Sequence, residues 1–182
     1  CVHPGVTASD LNDLINGTNF RKYGNASSVR EYFHDASSGH LDYTNVVIGW
    51  IKVPQPREHY DDKTKSCADC GSALIGDVFN VLKADPKYET EYLPKIRRAT
   101  TNADGSILAL NVFFAGESAP NWSHGLWAHK GTLAWSQSGR LAVEENLFFN
   151  NYQITPVTSD PSIGTFCHEN GHMICDFPDL YA

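Results

Sequence analysis

No apolar run in this 182-residue chain is long enough to span a bilayer, and positive charge is scarce. A spanning helix needs about 20 consecutive apolar residues, so a membrane span is not expected. Lys and Arg number 14 against 21 Asp and Glu, a formal net charge of −7 with no basic cluster. Nucleic acid and anionic membrane surfaces are therefore poor candidate partners. Internal repeats and low-complexity tracts are absent, which removes solenoids and long disordered linkers from consideration. The sequence begins at Cys1 rather than Met. A processed product or a cut-out piece is expected, with a lipidated Cys1 as the alternative.

Cysteine is sparse and odd in number: Cys1, Cys67, Cys70, Cys167 and Cys175. At least one is unpaired within the chain. Cys67-Ala68-Asp69-Cys70 has redox or metal spacing, but no second such pair supports a four-cysteine site. In what reads as a polar loop, it is expected to be a local disulfide or two thiols. Eight helical residues would hold Cys167 and Cys175 about 12 Å apart, beyond disulfide reach. Both read as packing residues or as partners of cysteines elsewhere.

What is present fits one compact domain. Hydrophobic residues make up 41% of the chain, enough at this length for a substantial core. Leu11 to Asn16 reads as a short helix. Ser28 and Glu31 form a capping box ahead of a helix that turns Val29, Tyr32 and Phe33 inward and breaks at Gly39. Leu41 to Val53, rich in β-branched and aromatic residues, predicts one or two strands ended by Pro54 and Pro56. Ala73 to Leu82 carries Leu74, Val78, Val81 and Leu82 at helical spacing. Ile107 to Ala115 is a nearly continuous apolar run closed by Gly116, and predicts a buried central strand. Asn121 to Trp135 holds three of the four tryptophans. Strands and helices interspersed in this way indicate an α+β or mixed α/β fold.

The most informative segment is His168-Glu169-Asn170-Gly171-His172. It reads His-Glu-x-x-His, the pattern of helix-borne zinc peptidase sites. Histidines four apart on a helix leave one face about one turn apart, so both imidazoles can reach one ion. Zinc accepts such nitrogen ligands and keeps a position open for water in catalytic sites. Glu169 would flank the metal and take a proton from that water. The frame predicts a helix: Asp160 as N-cap, Pro161 at the first helical position, a run from Ser162 to about Ile174, and Pro178 beyond its end. Ile163, Phe166, Cys167, Met173 and Ile174 project to one broad side, with His168 and His172 opposite. The competing reading is an exposed histidine pair with no metal.

His124 and His129, five apart, suit one helical face poorly as joint ligands. They are expected to line a substrate cleft beside an edge strand. His3, His34, His40 and His59 belong to no constellation. Asp61, Asp62 and Asp69 make calcium conceivable, but they lack the alternating oxygen pattern of a calcium loop. A solvated loop is expected there. Asn16-Gly17-Thr18, Asn25-Ala26-Ser27 and Asn121-Trp122-Ser123 match the glycosylation sequon, which matters only in a eukaryotic secretory host.

The stretch from Gly164 to Tyr181, with Gly171-His172 closing the zinc motif and Pro178-Asp179-Leu180-Tyr181 shortly after, resembles the immune inhibitor A family of secreted zinc metallopeptidases. The resemblance extends upstream through Ser28 to Phe33, Ser38 to Leu41, Ala115-Gly116 and Gly125-Leu126-Trp127-Ala128-His129. It covers roughly Tyr23 to Tyr181 in register. One departure stands out. The spacing from His172 to Pro178-Asp179 is one residue longer than the commoner family form, because Cys175-Asp176-Phe177 stands where a glycine and one residue are usual. The glycine that turns the chain out of the helix is missing.

The resemblance implies an α+β domain of zincin type: the upper subdomain, with a twisted mixed sheet, a backing helix and an active-site helix beneath the cleft. It also implies export, and synthesis with a signal and a propeptide. The expected activity is hydrolysis of protein or peptide substrates by a secreted zinc metalloendopeptidase, with zinc on His168 and His172 and Glu169 as general base. Asp179 is the expected third ligand, because its family counterpart follows the motif at nearly this spacing. The alternative places Asp179 as a cap of the next turn and the third ligand beyond residue 182. Residues 1–182 are expected to form the N-terminal, upper part of a larger catalytic domain, binding zinc weakly and cleaving poorly alone. Two rivals remain: a non-catalytic extracellular binding module that keeps a zinc motif, and a hydrolase of non-peptide amides on the same scaffold.

Overall fold

A computed structural model describes residues 5–133 and 139–179. Cys1, His3, Trp135, Leu180 and Tyr181, which carry some of the expectations above, lie outside the described residues. The element order is α1 (Ala8–Asn16), α2 (Val29–Ala36), α3 (Arg57–Tyr60), α4 (Cys67–Ala84), a π-helical turn (Tyr88–Tyr92), α5 (Leu93–Ile96), β1 (Leu110–Ala115), β2 (His129–Thr132), β3 (Leu141–Glu144), β4 (Leu147–Phe149), β5 (Asn151–Val157) and α6 (Gly164–Ile174). The fold is mixed α and β.

The early helices form where their caps put them. Thr7 and Asp10 close a capping box on α1, which buries Leu11, Leu14 and Ile15. Ser28 and Glu31 do the same for α2, burying Val29 and Phe33. Tyr32, expected inside, is instead 46% exposed. Helix α4 starts earlier than its apolar spacing indicates, because the Ser66 side chain accepts the Asp69 N–H as N-cap. This corrects the placing of Cys67 and Cys70 in a polar loop: both sit buried in the first turns of α4, and both are free thiols.

Three strands form one sheet in the order β1-β5-β2, and β3-β4 is a separate antiparallel hairpin. β1 runs parallel to β5 from Leu110↔Tyr152 to Ala115↔Val157, while β2 is antiparallel to β5 from His129↔Ile154 to Thr132↔Asn151. The central strand is therefore β5, whose Tyr152, Gln153, Ile154, Thr155 and Val157 are buried. β1, expected to be central, is an edge strand in which Phe114 alone is fully buried. Pro156 is tolerated in β5 because the pairing with β2 stops at Ile154, so no ladder bond on that side is lost.

Residues 41–53 form no strand. Burial alternates from residue 41 to 47 as a strand's would, but the backbone finds other partners. The Asn45 N–H and C=O both bond the Asn16 side chain, at 2.8 Å each. The Asn111 amide of β1 reaches Tyr43 Oη at 2.9 Å and Asn45 Oδ1 at 2.8 Å. Side-chain amides thus take the place of a β ladder.

The main core packs α4 against the sheet and hairpin through residues such as Leu74, Ile75, Phe79, Leu133, Phe149 and Ile154. Gly71 makes the α4 contact possible, since a Cβ there would lie 2.9 Å from His129 Cε1. A second cluster joins α2 and α6 through Val29, Phe33, Tyr43, Phe166 and Cys167, and Phe166 stacks on Phe113 of β1 with centroids 5.0 Å apart. Among the described residues, no helix is long and apolar enough to cross a membrane.

Candidate active site

Helix α6 spans Gly164–Ile174 and buries Phe166, Cys167, Glu169, Asn170, Gly171 and Met173. The apolar side expected from the sequence is correct, but its start is not. Ile163, not Asp160, is the N-cap position, and no side chain of its own caps the helix. Asn25 serves there instead, accepting the Ile163 N–H at 3.0 Å and donating to the Pro161 carbonyl at 2.9 Å. Two sequon asparagines, Asn16 and Asn25, therefore commit their amides to internal bonds. Asn121 is exposed.

Asn170 fixes how α6 is turned about its axis. It is fully buried, accepts the Tyr43 O–H at 2.7 Å and donates to the Phe166 carbonyl at 2.9 Å. With that face locked, His168 and His172 point away from the core. Their Nε2 atoms are 3.2 Å apart. Asp179 Oδ1 closes the group, 3.4 Å from His168 Nε2 and 3.1 Å from His172 Nε2.

The turn that returns Asp179 to the histidines is made without glycine. Asp176 adopts φ +58°, a left-handed conformation that Asp tolerates better than most residues. The Gly171 carbonyl accepts both the Cys175 and the Phe177 N–H, each at 3.2 Å. The Phe177 carbonyl accepts His172 Nδ1–H at 2.5 Å. A carbonyl only accepts, so the proton of neutral His172 sits on Nδ1 and the Nε2 lone pair faces Asp179 and His168.

This donor set suits a cation. Lone pairs of imidazole and carboxylate converge at separations of 3.1 to 3.4 Å. Ligands about 2.0–2.1 Å from a tetrahedral ion lie about 3.3–3.4 Å from one another. Among the described residues, the ligand atoms of His168, Glu169 and His172 also fall within 4.8 Å of one another, a group that could hold a metal. Glu169 Oε1 stands farther off, 4.0 Å from His168 Nε2. The Lys130 backbone N–H of β2 favours its charged form. Burial pushes the Glu169 carboxyl above the ordinary carboxylate range, against the opposing pull of His168 and His172. A base set back from the donors, with its affinity for protons raised, is suited to moving a proton at their side.

These residues line a cleft of about 380 Å³ together with Cys67, Trp122, Trp127 and His129. His129 takes the lining place expected of it, with both ring nitrogens engaged: Nδ1–H donates to the Trp127 carbonyl at 2.7 Å, and Nε2 accepts the Tyr152 hydroxyl at 2.9 Å. Burial lowers its pKa, favouring the neutral ring. His124 does not line the cleft; its Nδ1 bonds the Trp122 carbonyl at 2.9 Å. The carboxylates of Asp61, Asp62 and Asp69 have separate partners, and Asp69 lies in the first turn of α4. Asp61 binds the Leu126 N–H, Asp62 binds Thr64, and Asp69 binds Ser66.

Asn25, Tyr43 and Asn170 help build the site without a functional signal in the sequence. Asn170 alone left a trace, as a polar residue one turn from Phe166 on the apolar side of α6.

A mixed sheet and a helix presenting His-Glu-x-x-His to a cleft are compatible with a metallopeptidase catalytic domain. Residues 7–182 match the family described as immune inhibitor A peptidase M6, catalytic domain, and the chain belongs to that family. Membership implies a metal cofactor and protein substrates. No curated protein matches the chain.

Proposed function

We propose that the chain is the N-terminal, upper part of the catalytic domain of a secreted zinc metalloendopeptidase, with His168, His172 and Asp179 as the metal ligands and Glu169 as the general base. The observation that carries this reading is the convergence of three donor atoms within 3.4 Å, with the Glu169 carboxylate set beside them at 4.0 Å. When bound, zinc supplies Lewis-acid chemistry, polarising the scissile carbonyl and lowering the pKa of water.

The chain's own residues do the rest. Glu169 takes a proton from the attacking water and passes it to the leaving nitrogen. A C–O bond forms as the C–N bond breaks, and the products are a carboxylate and an amine. Among the described residues, β2 pairs with β5 on one side only, leaving a backbone edge for an extended substrate to pair with. The His172 ring is aimed by the Phe177 carbonyl, which keeps its Nε2 lone pair toward the donor group.

Secretion belongs to the same proposal and rests on the resemblance to exported immune inhibitor A peptidases. Finding the protein outside the cell supports it; retention inside overturns it. Glu169→Gln tests the catalytic reading. Casein hydrolysis by the full-length protein should fall at least about a thousandfold while zinc stays bound, as expected for loss of the proton carrier. Hydrolysis near the wild-type rate in that variant would overturn the assignment.

A further inference from the structure

Apolar side chains exposed beside a polar reaction centre are costly to leave in water. Among the described residues, four large hydrophobics are strongly exposed: Tyr32, Val46, Trp122 and Phe177. Two of them, Trp122 and Phe177, line the cleft that contains His168, Glu169 and His172. Trp122 is the most exposed of all, at 68%.

The local structure holds Trp122 in place. Its indole packs on Trp127, a second cleft residue, with centroids 5.4 Å apart and planes inclined at 52°. The next residue, Ser123, sits at φ +62°, a conformation that side chains seldom adopt without a tertiary reason. The Ser123 carbonyl accepts the Cys67 N–H at 2.8 Å, tying the turn to the start of α4. On the other side, the Gly125 N–H bonds the Lys65 carbonyl at 3.2 Å and the Leu126 N–H bonds Asp61 at 3.0 Å. The tip of the loop between β1 and β2 is thus anchored on both flanks while its indole stays in solvent. An aromatic surface presented rigidly in this way binds an apolar group at small entropic cost.

We propose that Trp122, backed by Trp127, forms the wall of a specificity subsite for a large apolar side chain of the protein substrate. The inference deepens the peptidase reading and rests on it. It makes Trp122 a specificity-determining residue, with a preference for aromatic or long aliphatic side chains over alanine at one position near the scissile bond.

The test uses the full-length, zinc-loaded protein and peptide sets that are identical except for Phe, Leu or Ala at each position flanking the cleaved bond. At one position the wild type should favour Phe or Leu over Ala by about 10- to 100-fold in kcat/KM, the usual range for filling an apolar pocket. In Trp122→Ala that ratio should fall to within about threefold of unity, and Trp122→Tyr should restore most of it. Val46→Ala, an exposed apolar site outside the cleft lining, should leave the ratio as in the wild type. A Trp122→Ala ratio within about twofold of wild type overturns the inference, including the case where both peptides lose rate equally.

Binding provides a readout that does not need turnover. Fluorescence anisotropy of the same labelled peptides on the Glu169→Gln protein should show the apolar preference, and Trp122→Ala in that background should erase it. Peptide binding that discriminates through Trp122 without wild-type cleavage would strike the peptidase reading and leave the subsite standing. Cleavage with no Trp122-dependent discrimination would do the reverse. Neither cleavage nor discriminating binding would overturn both.

Discussion

Replacing Asn170 by Ala should destabilise this protein by about 2–4 kcal/mol, although the change improves helix propensity. Ala is favoured over Asn inside a helix by up to about 0.7 kcal/mol, and that gain acts against the loss. Asn170 is fully buried, and its two hydrogen bonds, to the Tyr43 hydroxyl and the Phe166 carbonyl, contribute about 1 kcal/mol each in net terms. The Tyr43 hydroxyl would still accept from Asn111 at 2.9 Å, but its own proton would lose its acceptor in the core. Such an orphaned donor costs about 1–3 kcal/mol, and the vacated amide volume adds a smaller cavity cost. The sum is large against a total stability of about 5–15 kcal/mol.

The assay is equilibrium urea unfolding of wild type, Asn170→Ala, Tyr43→Phe and the double variant, followed by tryptophan fluorescence and circular dichroism. Because both single changes remove the same bond from opposite ends, the double variant should be more stable than additivity requires, by about 1–2 kcal/mol. A loss below about 0.5 kcal/mol in Asn170→Ala, or additivity within about 0.3 kcal/mol, would refute the view that this bond fixes the rotation of α6.

Three further outcomes are expected. Asp179→Ala in the full-length protein should weaken zinc binding by at least about tenfold in a competition titration, since losing a direct ligand exceeds the cost of losing an outer partner; unchanged affinity would remove Asp179 as a ligand. At position 176, where φ is +58°, Asp176→Gly should be neutral or stabilising by up to about 1 kcal/mol and Asp176→Val destabilising by about 1–2 kcal/mol. The reverse order in thermal unfolding would contradict the turn geometry. Burial pushes the Tyr43 phenol up from its ordinary 10.0 to about 12. The unfolded chain therefore releases this proton first as pH rises, and the folded state loses about 2–3 kcal/mol between pH 10 and 12 that it holds in full below pH 10. Tyr43→Phe should show a smaller decline over that window in urea titrations.

Most of what the sequence determined by itself is local. The Ser28–Glu31 capping box, the apolar side of α6 and the spacing of His168 and His172 depend on residues within four or five of each other. Helix geometry converts such spacing into shared faces without help from the rest of the chain. The metallopeptidase class was legible for the same reason, since its motif lies within one turn and a half of helix.

What only the tertiary structure decided depends on distant partners. Asn25 meets the start of α6 across more than a hundred residues of chain. Asn16 takes the backbone bonds that a neighbouring strand would have made with Asn45. β5 became the central strand in place of β1 because β2 pairs with β5, a choice of neighbours that no hydrophobic period encodes. In the candidate site, the approach of Asp179 to both histidines depends on a left-handed aspartate and on a carbonyl that holds the His172 ring. Gly71 lets α4 lie close against His129 of β2. Such contacts form only after distant segments have been brought together at an entropic cost that local sequence does not reveal, so they become visible when the chain is folded.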